Sequence, residues 1–212
     1  METQRHVMQL QLLMDPLKLF WADRQDVYVG GNMFVYFSLE QVRNQDFHGP
    51  DFFAALDVPK RERKSWVVWQ EGKGPDVVIE LLSESTAARD KGEKKTVYQD
   101  RLRVPEYFWF DPFTGEWAGF YLRKGVYEPI EPDVQERLCS QLLGLALVRW
   151  EGAYQDVHIQ WLRLATLEGT LLPTPQEVAA QEQRRADAAL QRTIELEAVL
   201  ARYRERFGDP PA

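Results

Sequence analysis

Residues 75–112 constrain this chain more than any other stretch. Val77–Leu82 is β-branched and aliphatic, bounded by Gly74-Pro75 before it and Ser83-Glu84-Ser85-Thr86 after it, which is the pattern of a buried strand. Glu80 stands in the middle of that run. A carboxylate inside a buried strand is costly unless it meets a cation, a metal or a proton donor. Ser85 or Thr86 can cap a helix running to about Leu102, and Glu106–Asp111 is a second strand, apolar on both faces. Strand, helix and strand in this order predict a β-α-β unit with a parallel, right-handed crossover. A polar site at the end of such a strand is a place for chemistry.

Composition sets the scale around this unit. With 212 residues, 44% of them hydrophobic and seven Trp, the chain can bury one domain and carry an appendage. No run of eighteen apolar residues occurs, and Met1–His6 has no signal-peptide hydrophobic region, so no membrane span and a cytoplasmic location are expected. A lone Cys139 in an apolar context excludes an internal disulfide and reads as a packed thiol. The net charge of −7 argues against a protein that coats nucleic acid, which needs a Lys/Arg excess. It leaves a nuclease open, because a metal ion and a local basic patch can offset it. Lys60-Arg61-Glu62-Arg63-Lys64 and then Arg89, Lys91, Lys94, Lys95, Arg101 and Arg103 form such a patch, with solvated surface as the ordinary alternative.

Along the chain, Leu10–Asp23 has helical spacing, with the better helix starting at Asp15-Pro16. Asp26–Gly30 and Met33–Ser38 flank Gly30-Gly31-Asn32 as a hairpin would, and Ser38–Gln41 carries a capping-box pattern. Pro50–Asp57 reads as a strand with Asp51 at its first position; Ser65–Gln70 is a strand or an edge insertion. Glu116–Arg123 is a further strand, short strands follow up to Arg137, and Leu145–Trp150 with Val157–Leu164 form a closing hairpin around Gly152. Leu172-Pro173-Thr174-Pro175 marks a boundary, giving a domain over 1–172 and a helical tail over 173–212 with a disordered end. In the tail, Ala186, Ala189, Thr193, Leu196, Leu200, Tyr203 and Phe207 step by three and four, a weak heptad seam that suits either a dimeric coiled coil or a solvated helix.

Three acidic positions compete for the chemistry. Asp76 and Glu80 share a strand face but lie roughly 13 Å apart, too far to share one ion. If the strands from Asp51 and Asp76 run antiparallel, Asp51 neighbours Glu80, and Asp76 caps the strand entry at the far end, near Asp57. Hard oxygen ligands of this kind suit Mg²⁺ or Mn²⁺. Asp90, Lys94 and Tyr98 share one helix face; Lys94 either points to the Asp51–Glu80 end or makes a surface pair with Asp90, the plainer reading. His6, His48 and His158 have no metal-ligand spacing, and Gly72-Lys73-Gly74 is not a phosphate loop.

Pro75-Asp76-Val-Val-Ile-Glu80-Leu-Leu-Ser83-Glu-Ser85-Thr86, then Asp90, Lys94 and Tyr98, then Val104-Pro105-Glu106-Tyr107-Phe-Trp-Phe-Asp111-Pro112 resembles the Uma-two family of restriction-endonuclease-like proteins. Upstream, Gly49-Pro50-Asp51-Phe-Phe resembles that family's first PD strand, and the likeness covers about residues 15–172. It implies an α/β (α+β) fold of the PD-(D/E)XK nuclease superfamily: a mixed central sheet flanked by helices, here with a helical tail. By that likeness Asp51 is the PD aspartate, Glu80 the second acid, and the Leu81 carbonyl a further metal ligand. The lysine expected two residues after Glu80 is replaced by Leu82, and the resemblance moves its function to Lys94 on the next helix. Glu84 stands where the family commonly has Pro.

The implied activity is Mg²⁺- or Mn²⁺-dependent hydrolysis of DNA, with catalytic Asp51, Glu80 and Lys94, metal held by Asp51, Glu80 and Leu81, and a homodimer as the assembly. The alternative is a catalytically silent nuclease fold acting as an oligomeric binding or regulatory module, which the acidic charge and the missing strand lysine favour. Glycoside hydrolysis by facing carboxylates is the third class, and the resemblance argues against it.

Overall fold

Thr3 starts the first helix, α1 (Gln4–Phe20), its hydroxyl accepting the His6 N–H at 3.4 Å. The computed structural model describes residues 3–37, 47–83 and 90–208. The expected start at Asp15-Pro16 is therefore corrected, since Pro16 lies inside the helix. Met8, Leu12, Leu13 and Leu17 are buried along α1, and that packing outweighs the backbone hydrogen bond that a proline removes.

The strands that follow are β1 (Val27–Gly31), β2 (Val35–Tyr36), β3 (Phe47–His48), β4 (Phe52–Leu56), β5 (Trp66–Val67) and β6 (Val77–Leu81). Later come β7 (Glu106–Phe110), β8 (Trp117–Arg123), β9 (Val126–Pro129), β10 (Leu138–Ser140), β11 (Leu145–Tyr154) and β12 (Val157–Thr166). The short helix α2 (Val68–Glu71) follows β5, so Ser65–Gln70 is half strand and half helical turn. A π-helical turn (Asp90–Lys94) leads into α3 (Lys95–Asp100), and α4 spans Pro175–Phe207.

The main sheet has the order β1-β4-β6-β7-β8-β9. Strands β6 and β7 run parallel, as a β-α-β unit requires, and the other neighbours are antiparallel. The alternation of the strands divides the core. Phe52, Ala54, Val77, Ile79, Leu81 and Phe108 join Leu13 and Leu17 of α1 on one face, together with Leu145 and Leu162 of the sheet β10-β11-β12. Phe53, Ala55, Val78 and Tyr107 join Tyr98 of α3 on the other. Glu80 belongs by period to that second face, under α3. This mixed α/β architecture with a C-terminal helix is the fold class expected from the sequence.

Two turn expectations are corrected. The β1–β2 hairpin does not form; β1 pairs with β4, while β2 pairs with β3 and β5. Gly30 and Gly31 are needed for close approach instead, because a Cβ on Gly30 would come 2.6 Å from the Phe53 ring and one on Gly31 would come 2.8 Å from the Asp51 carbonyl. The hairpin β11–β12 turns at Gln155-Asp156, both at positive φ (46° and 64°), and not at Gly152. Gly152 is paired in the strand, where any Cβ would overlap Trp150 at 2.1 Å.

Glu106 is a second buried acid, but its work is structural. Its carboxylate accepts the Gln141 N–H at 2.8 Å, the Leu142 N–H at 3.1 Å and the Ser140 hydroxyl, tying β7 to the turn after β10. Burial pushes its carboxyl up, against these three hydrogen bonds. Glu106→Ala strands three donors and is expected to cost about 2–4 kcal/mol in urea unfolding.

The chain divides into two units, Met1–Leu172 and Pro173–Ala212. In the second, α4 opens with a capping box: Thr174 accepts the Glu177 N–H at 3.1 Å, and Glu177 accepts the Thr174 N–H at 2.7 Å. The expected caps at Ser38–Gln41 and at Ser85 or Thr86, and the end beyond Gly208, lie outside the described residues.

Candidate active site

The antiparallel register of β4 on β6 pairs Phe52 with Ile79 and Phe53 with Val78. Continued by one residue it sets Asp51 opposite Glu80, on the face covered by α3. The Asp51 carboxylate accepts the Leu81 N–H at 2.7 Å and is in hydrogen-bond contact with the Glu80 carboxyl. Asp76 lies at the other end of β6, where it accepts the Leu56 N–H at 2.7 Å and pairs with Lys73 at 2.6 Å. It clips the entry of the strand and stays out of the site.

Glu80 is 0% exposed. Tyr98 donates its hydroxyl to Glu80 Oε1 at 2.6 Å, and Lys94 Nζ donates to Oε2 at 3.0 Å. Four residues apart, Lys94 and Tyr98 reach the same carboxylate from one helix face. Burial pushes the Glu80 carboxyl well above the ordinary range, the charge of Asp51 adds to this, and Lys94 and Tyr98 oppose it without cancelling it. Burial and then the charge of Glu80 push the Tyr98 phenol up as well, so it remains a donor. The Lys94 side chain is 15% exposed, so its ammonium sits where the buried acid meets solvent. The π-helical turn that delivers it is a feature often found at functional sites. The side chain of Asp90, the other proposed partner of Lys94, is outside the described residues.

Leu82 is fully buried where a strand lysine would stand. Its N–H bonds the Phe110 carbonyl at 2.8 Å, and His6 Nε2–H donates to its carbonyl at 2.9 Å, which gives His6 a structural task. Arg89 lies outside the described residues, and several of the described members of the basic patch are spent on structure. Arg63 is buried against Glu71 at 2.9 Å and lies over Tyr28 and Trp66, Lys60 bonds the Trp21 and Ala22 carbonyls, Lys91 pairs with Glu116, and Lys95 lies 3.4 Å from the Phe120 ring centroid. Cys139 is half-buried 3.9 Å from Asp133, and burial raises its thiol, which makes it a poor nucleophile.

Among the described residues no group of three or more His, Cys, Asp or Glu side chains could hold a metal, and no helix is long and apolar enough to cross a membrane. The Asp51–Glu80 pair is still a fitting donor set for a hard divalent cation. Two carboxylates pressed together, one of them held towards its protonated form, gain most from a charge placed between them. Magnesium completes such a site with water.

A family model described as "Uma2: Putative restriction endonuclease" matches residues 1–151. The chain belongs to the Uma2 family. The resemblance drawn from the strand and helix motifs is thereby confirmed. One solved structure similar to this Uma2 chain is that of a "putative nuclease belonging to DUF820" from Anabaena variabilis ATCC 29413, at 15% identity and a TM-score of 0.46, covering 76% of this chain and 79% of that one. No curated protein matches the chain. Restriction-endonuclease-like families usually depend on a metal ion, and the nuclease description of this one points to DNA as the class of substrate.

Tyr98 is the site residue whose role sequence reasoning left unassigned. Its signal was its position four residues after Lys94 on the same face, and only the fold shows that both converge on Glu80.

Proposed function

We propose that this Uma2 protein is an Mg²⁺- or Mn²⁺-dependent endonuclease that hydrolyses DNA phosphodiester bonds at the Asp51–Glu80 pair. One observation carries the reading: Glu80 in β6 is approached both by Asp51, just before β4, and by Lys94, on the π-helical turn before α3. Asp51, Glu80 and the Leu81 carbonyl would hold the ion, with Lys94 as the third catalytic side chain. When bound, the ion would supply Lewis acidity at the scissile phosphate and an acidified water as nucleophile. Asp51 and Glu80 would fix the ion's place through the sheet, and Lys94, which meets Glu80 Oε2 at 3.0 Å, would donate to the phosphate oxygens as negative charge builds on them.

On this reading residues 1–172 are the catalytic domain and 173–212 a helical tail, and the enzyme works in the cytoplasm. Pairing of two copies through the α4 seam is part of the proposal. Leu196, Leu200, Tyr203 and Phe207 are 41–64% exposed, and in a parallel pair Arg192 of one copy would face Glu197 of the other. Sedimentation equilibrium of the full chain should then give a dimer. The activity is tested on supercoiled plasmid and on single-stranded DNA with Mg²⁺ or Mn²⁺. Cleavage that stops with chelator supports the reading, and intact DNA under all these conditions contradicts it.

A further inference from the structure

We propose that Tyr98 is a positioning residue that makes Glu80 a one-oxygen ligand and so sets the site's preference for Mg²⁺ and Mn²⁺ over Ca²⁺. The inference rests on the metal-site reading above.

The phenol is held in place from all sides. Tyr98 is fully buried, its ring 5.3 Å from Tyr107 and 5.9 Å from His48. Tyr107 stacks in turn on Tyr127 at 5.7 Å and Phe120 at 6.2 Å, and Tyr127 anchors its hydroxyl on the Val104 carbonyl at 2.9 Å. The Val104 N–H closes the loop by donating to the Tyr98 carbonyl at 2.9 Å. A ring locked this way cannot follow its acceptor, so the acceptor must come to it.

Its hydroxyl holds Glu80 Oε1 towards α3 at 2.6 Å. Oε2 is the oxygen that already meets a positive charge, the Lys94 ammonium at 3.0 Å. A cation that displaces the Lys94 ammonium beside Asp51 would therefore gain Oε2, while Oε1 stays held back by the phenol. That geometry suits magnesium and manganese, small ions that take single oxygens in an octahedron. Calcium favours larger coordination numbers and often takes both oxygens of a carboxylate. To do so here it would have to pull Oε1 from a buried phenol and leave that donor unsatisfied.

The test is calorimetric titration of Mn²⁺ and, separately, Ca²⁺ into the full-length wild type and Tyr98→Phe, which keeps the ring and loses only the donor. The expected result is a loss of Mn²⁺ affinity of about 10-fold with Ca²⁺ affinity unchanged or improved, so that the Mn²⁺/Ca²⁺ ratio falls by at least about 10-fold. An unchanged ratio, or equal loss of both ions, makes Tyr98 merely structural and overturns the inference while leaving the metal site in place. Absence of binding by the wild type removes the metal site itself. A second measurement does not depend on the variant folding: infrared difference spectra of wild-type protein with ¹³C-carboxyl glutamate, loaded with Mn²⁺. A wide splitting of the shifted carboxylate bands, as for one-oxygen coordination, supports the inference; a narrow, two-oxygen splitting overturns it.

Discussion

Glu80→Gln is expected to unfold at a higher temperature than the wild type at pH 8 and to cleave nothing. The stability half follows from the sign of the Glu80 shift. Its folded carboxyl is raised, so its contribution to stability is fully present below the unfolded value of 4.5 and is lost as pH rises through the folded value. Glutamine keeps an oxygen for the Tyr98 hydroxyl and carries no charge to bury, and Lys94, partly exposed, can turn to water. The advantage of the variant should therefore be small near pH 4 and grow with pH to about 1–3 kcal/mol, read from thermal melts across that range. The activity half follows from the lost ligand, with a fall of at least about 10³-fold on plasmid DNA. A variant less stable than wild type at pH 8 contradicts the burial argument, and a variant that still cuts contradicts the site.

Lys94→Met separates chemistry from ion binding. Methionine keeps most of the apolar stem and removes the ammonium that meets Glu80 Oε2. The expected cleavage rate drops by about 10²–10³-fold. Mn²⁺ affinity should hold or improve, because the ammonium competes with the ion for the same carboxylate oxygen. Lys94→Arg should recover part of the rate, since it restores the charge. Full activity in Lys94→Met would reduce the lysine to an ion-pair partner of Glu80 and exclude it from catalysis.

The central unit was legible because it is written locally. An aliphatic run holding one acid is a strand with a site, and if that strand runs antiparallel to the one after Asp51, residue spacing sets Asp51 beside Glu80; the register of β4 on β6 meets that condition. The misread elements are those decided by distant partners. Pro16 looks like a helix start, yet α1 runs through it because its apolar residues pack in the main core. Gly30-Gly31 and Gly152 look like turns, yet they are glycines because Phe53, the Asp51 carbonyl and Trp150 occupy the space of a Cβ. The basic residues look like a patch until Arg63 is seen buried on Glu71 and Lys95 over Phe120. Tyr98 could be placed on a face but not given a role, because its bond to Glu80 joins residues eighteen apart across a helix and a strand.

The most direct test of the account is a Mn²⁺ titration of the full-length protein, wild type beside Asp51→Asn, followed by calorimetry and by the electron paramagnetic resonance of free Mn²⁺. One site per chain is expected in the wild type, tighter as pH rises because the ion displaces the proton favoured at Glu80, with affinity lost by at least about 10-fold in Asp51→Asn. Binding that survives the substitution would put the ion elsewhere. A wild type that binds none at millimolar Mn²⁺ would contradict the metal-dependent nuclease and leave the fold as a catalytically silent scaffold.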